Sequence, residues 1–183
     1  MPQGRGTDRF RGPAPGRTAG AAGALVCLVW AAGVWVAPHL EAGPALRAAA
    51  LFVHLAALIL GLGTVQTIDY YGLLWLLGRR SLRQVLDFTR PLQVLVWSGL
   101  TGMVISGAVL GPDLALAATR VKLGLVLLVA LNGVHAHALH RSLAEQAGGR
   151  VDRRLLVRGA MSAAVSQVGW WGAVAIGFLN SQS

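Results

Sequence analysis

Two groups of ionisable side chains lie within long apolar stretches of this sequence and could carry chemistry. His54 and Asp69 form the first group, and Asp69 is the only formally charged residue between Arg47 and Arg79. A carboxylate at the centre of a bilayer costs about 2.5–3.5 kcal/mol on insertion scales, so residues of this kind commonly serve protons, ions or ligands. Gln66 adds a further polar group close to Asp69.

His54 and Asp69 share one face of a predicted helix. At about 100° per residue, both fall with Gly61, Val65 and Gly72 within about 80° of one another. The imidazole and the carboxylate are then roughly 22 Å apart along the axis. This spacing predicts a buried polar line that handles protons, a metal ion or a cofactor propionate. The alternative is that Asp69 lies at the membrane boundary and pairs with a nearby arginine.

Three histidines make up the second group, within six residues of a later apolar stretch: His135, His137 and His140. His137 and His140 are neighbours on one helix face, whereas His135 points about 160° away from His137 and lies beside Asn132. One helix cannot direct all three at a single metal ion. A metal site formed by Asp69, His137 and His140 is allowed, because these residues should lie at similar depth. The alternative is that both histidines are interfacial and partly exposed.

A b-type haem held between His54 and His135 is a rival hypothesis. It needs both imidazoles at one depth, on opposite faces of the iron. Counted from the ends of their stretches, the two residues differ in depth by about 9 Å, so the helices would have to be staggered. Lys122, the only lysine, marks the outer end of the later stretch. It can extend to the lipid headgroups or neutralise an anionic group.

The order of these residues resembles that of a known group of proteins. His54, Gly61, Gly63 and Asp69 precede a helix with Lys122, Asn132, Gly133 and His140. Across about residues 46–144 this pattern is similar to a family of small, uncharacterised bacterial polytopic membrane proteins, which distantly resemble the helical cores of the CopD copper-resistance and cytochrome b561 families. The resemblance implies a helical bundle in a bacterial inner membrane, with copper or haem b as the expected cofactor.

The composition sets the framework that must position these groups. Of the 183 residues, 55% are hydrophobic and 13% are charged, which is typical of a polytopic membrane protein. We predict an all-α bundle of five transmembrane helices in one domain, residues 19–180, after a flexible basic tail, residues 1–18. The predicted spans are about 19–37, 46–67, 92–110, 121–139 and 159–179, with Pro91 opening the third. The first span could be a cleaved signal peptide, but its length favours an uncleaved helix.

The distribution of basic residues predicts the orientation. Most of the sixteen basic residues lie in the tail or in the segments after the second and fourth spans. The exceptions are Arg47, Arg120 and Lys122. The positive-inside rule then places the N-terminus in the cytoplasm and the C-terminus outside. The net charge of +9 is therefore a topology signal rather than a nucleic-acid footprint.

The sequence supports three classes of function. The first is a bacterial inner-membrane protein that handles a metal ion or protons through Asp69 and the histidines near the cytoplasmic end. The second is a b-type haem electron carrier, and the third is a structural subunit of a membrane complex or a homo-oligomer. Small residues at four-residue spacing, such as Gly169, Ala173 and Gly177, predict close helix packing, as do Gly99 and Gly107 with Met103 between them. No catalytic constellation is present, so an enzyme has no positive support.

Overall fold

The computed structural model describes residues 15–147, 149 and 151–180, with side chains from Thr18 onward. In these ranges the chain forms five long helices, each long and apolar enough to cross a membrane. They are α1 (Pro15–Val36), α2 (Pro44–Leu76), α3 (Leu82–Val109), α4 (Ala117–Glu145) and α5 (Arg153–Asn180), with a short 3-10 helix (Ala37–His39) after α1. The predicted all-α membrane fold is confirmed, and these spans place the protein in contact with a lipid bilayer.

Helix α2 is a single helix of 33 residues. At 1.5 Å per residue it is about 50 Å long, against a hydrocarbon core of about 30 Å. The helix therefore tilts or extends beyond the bilayer, and Tyr70–Leu76 continues the helix instead of turning away from it.

The third helix begins nine residues earlier than Pro91, so the prediction that Pro91 opens it is wrong. A capping box fixes the true start: the Ser81 hydroxyl accepts from the Gln84 amide at 3.3 Å, and the Gln84 side chain accepts from the Ser81 amide at 3.0 Å. These two bonds satisfy backbone donors that have no partner in the helix, and the helix continues through Pro91.

The predicted N-terminal tail overlaps the first helix, because residues 15–18 belong to α1. The rest of the predicted tail, residues 1–14, lies outside the described residues.

Small residues set the closest helix contacts. Gly99 of α3 lies directly on the backbone of α2 at Gly61. Gly169 of α5 packs against Val129 of α4. Helix α1 packs on α4, where the Trp30 indole donates to the Leu123 carbonyl oxygen at 3.2 Å. Gly99 and Gly169 therefore lie at helix contacts, whereas a Cβ at Gly177 would meet nothing within 4 Å.

A central packed layer joins α2, α3, α4 and α5. Its buried members are Ala57, Val65, Leu100, Met103, Val129, Ala130 and Trp170. Trp170 is 3% exposed, whereas the adjacent Trp171 is 53% exposed. Large apolar side chains such as Phe52 and Ile59 are instead exposed on the outside of the bundle, as expected for surfaces that face lipid.

Candidate functional site

Two cavities lie between the helices, and both have Val129 of the central layer in their walls. The first, here called the Asp69 cavity, has a volume of about 570 Å³. The second, the His54 cavity, has a volume of about 510 Å³. Both volumes fall in the range of about 300–1,000 Å³ typical of small-ligand sites. The residues singled out in the sequence divide between these two cavities.

The Asp69 cavity brings together the three residues predicted to bind a metal ion. Asp69 of α2 and His137 and His140 of α4 all line it, together with Gln93 of α3. His140 is half-buried and His137 is exposed. Most of the remaining wall is apolar, so these few polar groups define where a polar ligand or a proton could be held.

The carboxylate of Asp69 is held by an amide rather than by an arginine. Gln167 Nε2 of α5 donates to Asp69 Oδ2 at 2.5 Å. The same Gln167 exchanges two hydrogen bonds with Gln66, of 2.9 and 3.2 Å. Trp171 Nε1 adds a third donor to this cluster, at 3.0 Å from Gln167 Oε1. Gln66 is thus linked to Asp69 through Gln167, which the sequence argument missed.

His137 has a defined hydrogen-bond partner. Its Nδ1 lies 2.6 Å from Gln93 Oε1. Because an amide oxygen only accepts, Nδ1 carries the proton and donates, which leaves Nε2 for another interaction. Within residues 18–147 and 151–180, however, no three His, Cys, Asp or Glu side chains are close enough to hold one metal ion. Asp69, His137 and His140 share a cavity without forming a ligand set.

Asn132 lies at a contact between two helices, and His135 lies on the surface of the bundle. Asn132 Nδ2 donates to the Ser162 carbonyl oxygen at 2.8 Å, and Asn132 Oδ1 accepts from the Ser162 hydroxyl at 3.0 Å. These two bonds join α4 to α5. His135 is exposed and lines neither of the two cavities.

His54 lies in the other cavity, with its ring oriented by Ser106. His54 Nδ1 is 3.0 Å from Ser106 Oγ, and that hydroxyl donates its single proton to the Gly102 carbonyl oxygen at 2.6 Å. Ser106 Oγ must therefore accept, so Nδ1 of His54 carries the proton. Lys122 lines the same cavity. His54 and His135, the two predicted haem ligands, do not line the same cavity.

No family model, curated protein or solved structure matches this chain. Any function must therefore be argued from the two cavities and their chemistry. The polar residues that the sequence argument missed, Gln93, Ser162 and Gln167, had a detectable signal. Each is an amide or a hydroxyl within an apolar helix, where such groups need a partner on another helix.

Proposed function

We propose that this chain is a multi-pass protein of a bacterial inner membrane that binds and releases protons at Asp69. The observation that supports this proposal is that one carboxylate and two imidazoles, Asp69, His137 and His140, line a single cavity whose wall is mostly apolar. With the N-terminus in the cytoplasm, as the arginine distribution favours, the cavity belongs to the cytoplasmic half of the membrane.

The hydrogen bond to Gln167 suits a carboxyl group that changes its protonation state. The amide occupies only Oδ2 of Asp69. A proton can then be placed on Oδ1 while the bond at Oδ2 persists, so the same geometry serves the charged and the neutral form. An arginine partner would instead hold Asp69 in its charged form.

The two histidines provide a route between Asp69 and the exterior. His140 is half-buried, whereas His137 is exposed and keeps its Nε2 free of described partners. Imidazole accepts a proton on one nitrogen and releases it from the other, which makes it a suitable relay. His137 and His140 thus connect the cavity wall with the surface of the bundle.

A metal ion is the second candidate, because His137 and His140 lie three residues apart on the wall that faces Asp69. This alternative requires the side chains to move together, since they form no ligand set in the structure. Haem ligation by His54 and the resemblance to the CopD and cytochrome b561 cores both stay predictions.

An infrared pH titration of the purified protein in lipid would test the proposal. We expect a carboxyl C=O band that appears on acidification and is lost in Asp69→Asn. Asp87→Asn, which removes an exposed carboxylate from the start of α3, should leave that band unchanged. A band that persists in Asp69→Asn would refute proton binding at this residue. Repeating the titration with zinc or copper tests the metal alternative. If a metal ion binds at this site, it should suppress the carboxyl band in the parent protein but not in His137→Ala.

A further inference from the structure

The His54 cavity has the composition of a site for an anionic amphiphile. Helices α1 to α5 all contribute to its wall, and most of that wall consists of Leu, Val, Ala and Gly. Among the described residues, only His54 and Lys122 bring titratable groups to it, and no carboxylate of these residues lines it. We propose that this cavity binds a single-chain carboxylate amphiphile, such as a fatty acid, with its head group at Lys122 and His54 and its chain along the apolar wall.

The positive charge of Lys122 has no counter-charge in the part of the chain that the structure describes. Its ammonium group makes no hydrogen bond or ion pair there, and the residue is half-buried. Lys122 is also close enough to His54 for their charges to interact. A partly buried ammonium group without a partner is costly, and an anionic ligand would offset that cost.

Acidic residues elsewhere at this end of the bundle do not fill this role. Asp113 lies in the segment between α3 and α4, where its Oδ1 accepts from the Ala115 amide at 2.8 Å. Glu41 is exposed in the segment between α1 and α2. Neither residue lines the cavity. Arg47 does not line the cavity either.

His54 is prepared to interact with a carboxyl group. Ser106 holds its Nδ1 proton, so Nε2 is the nitrogen available to a ligand. His54 is half-buried in the cavity wall, and the Met103 backbone also lies near its ring. A carboxyl group can donate a proton to an imidazole, and an imidazolium can donate one to a carboxylate. The pair therefore suits a ligand with a single acidic group.

A monocarboxylate fits better than a phospholipid head group. The cavity offers one ammonium group and one imidazole within a wall that is otherwise almost entirely apolar. A phosphate with its substituents would bring several oxygens that need donors, and each one left unpaired in such a site is costly. The proposal is independent of proton binding at Asp69, which lies in the other cavity.

Binding of a fluorescent polyene fatty acid and of its methyl ester to delipidated protein in nanodiscs tests this inference. We expect the acid to bind at least about tenfold more tightly than the ester, because a charge-assisted hydrogen bond exceeds a neutral one by that order. Lys122→Gln should abolish this preference and Lys122→Arg should retain it. Arg120→Gln is the matched control, since Arg120 has the same charge at the same helix end but does not line the cavity.

A second pair of variants tests the cavity itself. Gly177 lines the wall, and a Cβ placed there would meet nothing within 4 Å, so Gly177→Leu adds a side chain at the cavity wall where its Cβ has room. It should weaken binding of both the acid and the ester. Gly124→Leu, at an exposed glycine that is equally open and lies outside the cavity, should bind both as the parent protein does. Equal binding of acid and ester by the parent protein, or a preference that survives Lys122→Gln, would overturn the proposal. Unchanged binding in Gly177→Leu would do so as well.

Discussion

The contact between α2 and α3 leads to a quantitative prediction for Gly99→Ala. A Cβ at Gly99 would lie 2.6 Å from both the nitrogen and the Cα of Gly61, and 2.8 Å from the carbonyl oxygen of Ala57. Optimal contacts between carbon atoms are about 3.5–4.0 Å. All three obstructing atoms belong to the backbone, so no side chain can rotate away. The two helices would have to separate by about 1 Å.

The expected loss of stability follows from this displacement. Overpacking a close-packed interior typically costs about 1–3 kcal/mol. Glycine to alanine in a helix also gains up to about 1 kcal/mol of propensity, which acts in the opposite direction. Gly63→Ala carries the same gain, but its Cβ would meet nothing within 4 Å. The difference between the two variants therefore isolates the contact, and we expect Gly99→Ala to be less stable than Gly63→Ala by about 1–3 kcal/mol.

Reversible unfolding in mixed detergent micelles, with increasing sodium dodecyl sulfate, provides the measurement. The free energies of unfolding of the two variants should be compared in the same lipid and detergent, with helix content followed by circular dichroism. If Gly99→Ala unfolds at the same detergent fraction as Gly63→Ala, the close approach of α2 and α3 at this point is not a feature of the folded protein.

Two further predictions concern the amide cluster and the orientation. Gln167→Leu should lower the free energy of unfolding by about 1–3 kcal/mol, because it leaves the partly buried Gln66 and Asp69 without their hydrogen-bond partner. Thr67→Val, which removes only a bond within one helix, is the comparison, and equal effects would contradict the role of Gln167. In a Cys27→Ser background, Asp113→Cys should react with an impermeant thiol reagent in intact cells, whereas Glu145→Cys should react only after permeabilisation. The reverse pattern would refute a cytoplasmic N-terminus.

The sequence predicted the number of helices because apolar length alone determines which segments can cross a bilayer. Helix ends were harder to predict. Pro91 indicated a helix start because proline has no backbone N–H. The true start is instead marked by a pair of specific hydrogen bonds between Ser81 and Gln84. Such local bonds fix a helix end outside the apolar stretch, where hydropathy provides no information.

The candidate site was predictable in its residue types but not in its partners. Asp69, His137 and His140 were expected at one depth, and they line one cavity. The hydrogen bond from Gln167 to Asp69 joins residues 98 positions apart, and helical periodicity within one segment cannot reveal which helices are neighbours. For the same reason the orientation of His54 by Ser106 emerged only from the packing of α2 on α3.

His54 and Asp69 lie on the polar face of α2 but line different cavities. The central layer therefore divides this face into two parts. Trp170 is the largest side chain of that layer, and its ring edge packs against Gly61. We therefore expect Trp170→Ala to join the cavities and make proteoliposomes leak protons, measured with a pH-sensitive dye trapped inside. Trp171→Ala removes an equally large but exposed ring and should not leak. Trp170→Leu, which keeps more of the packing, should leak less than Trp170→Ala. If Trp170→Ala folds and its vesicles remain as tight as those of the parent protein, another part of the layer separates the two cavities.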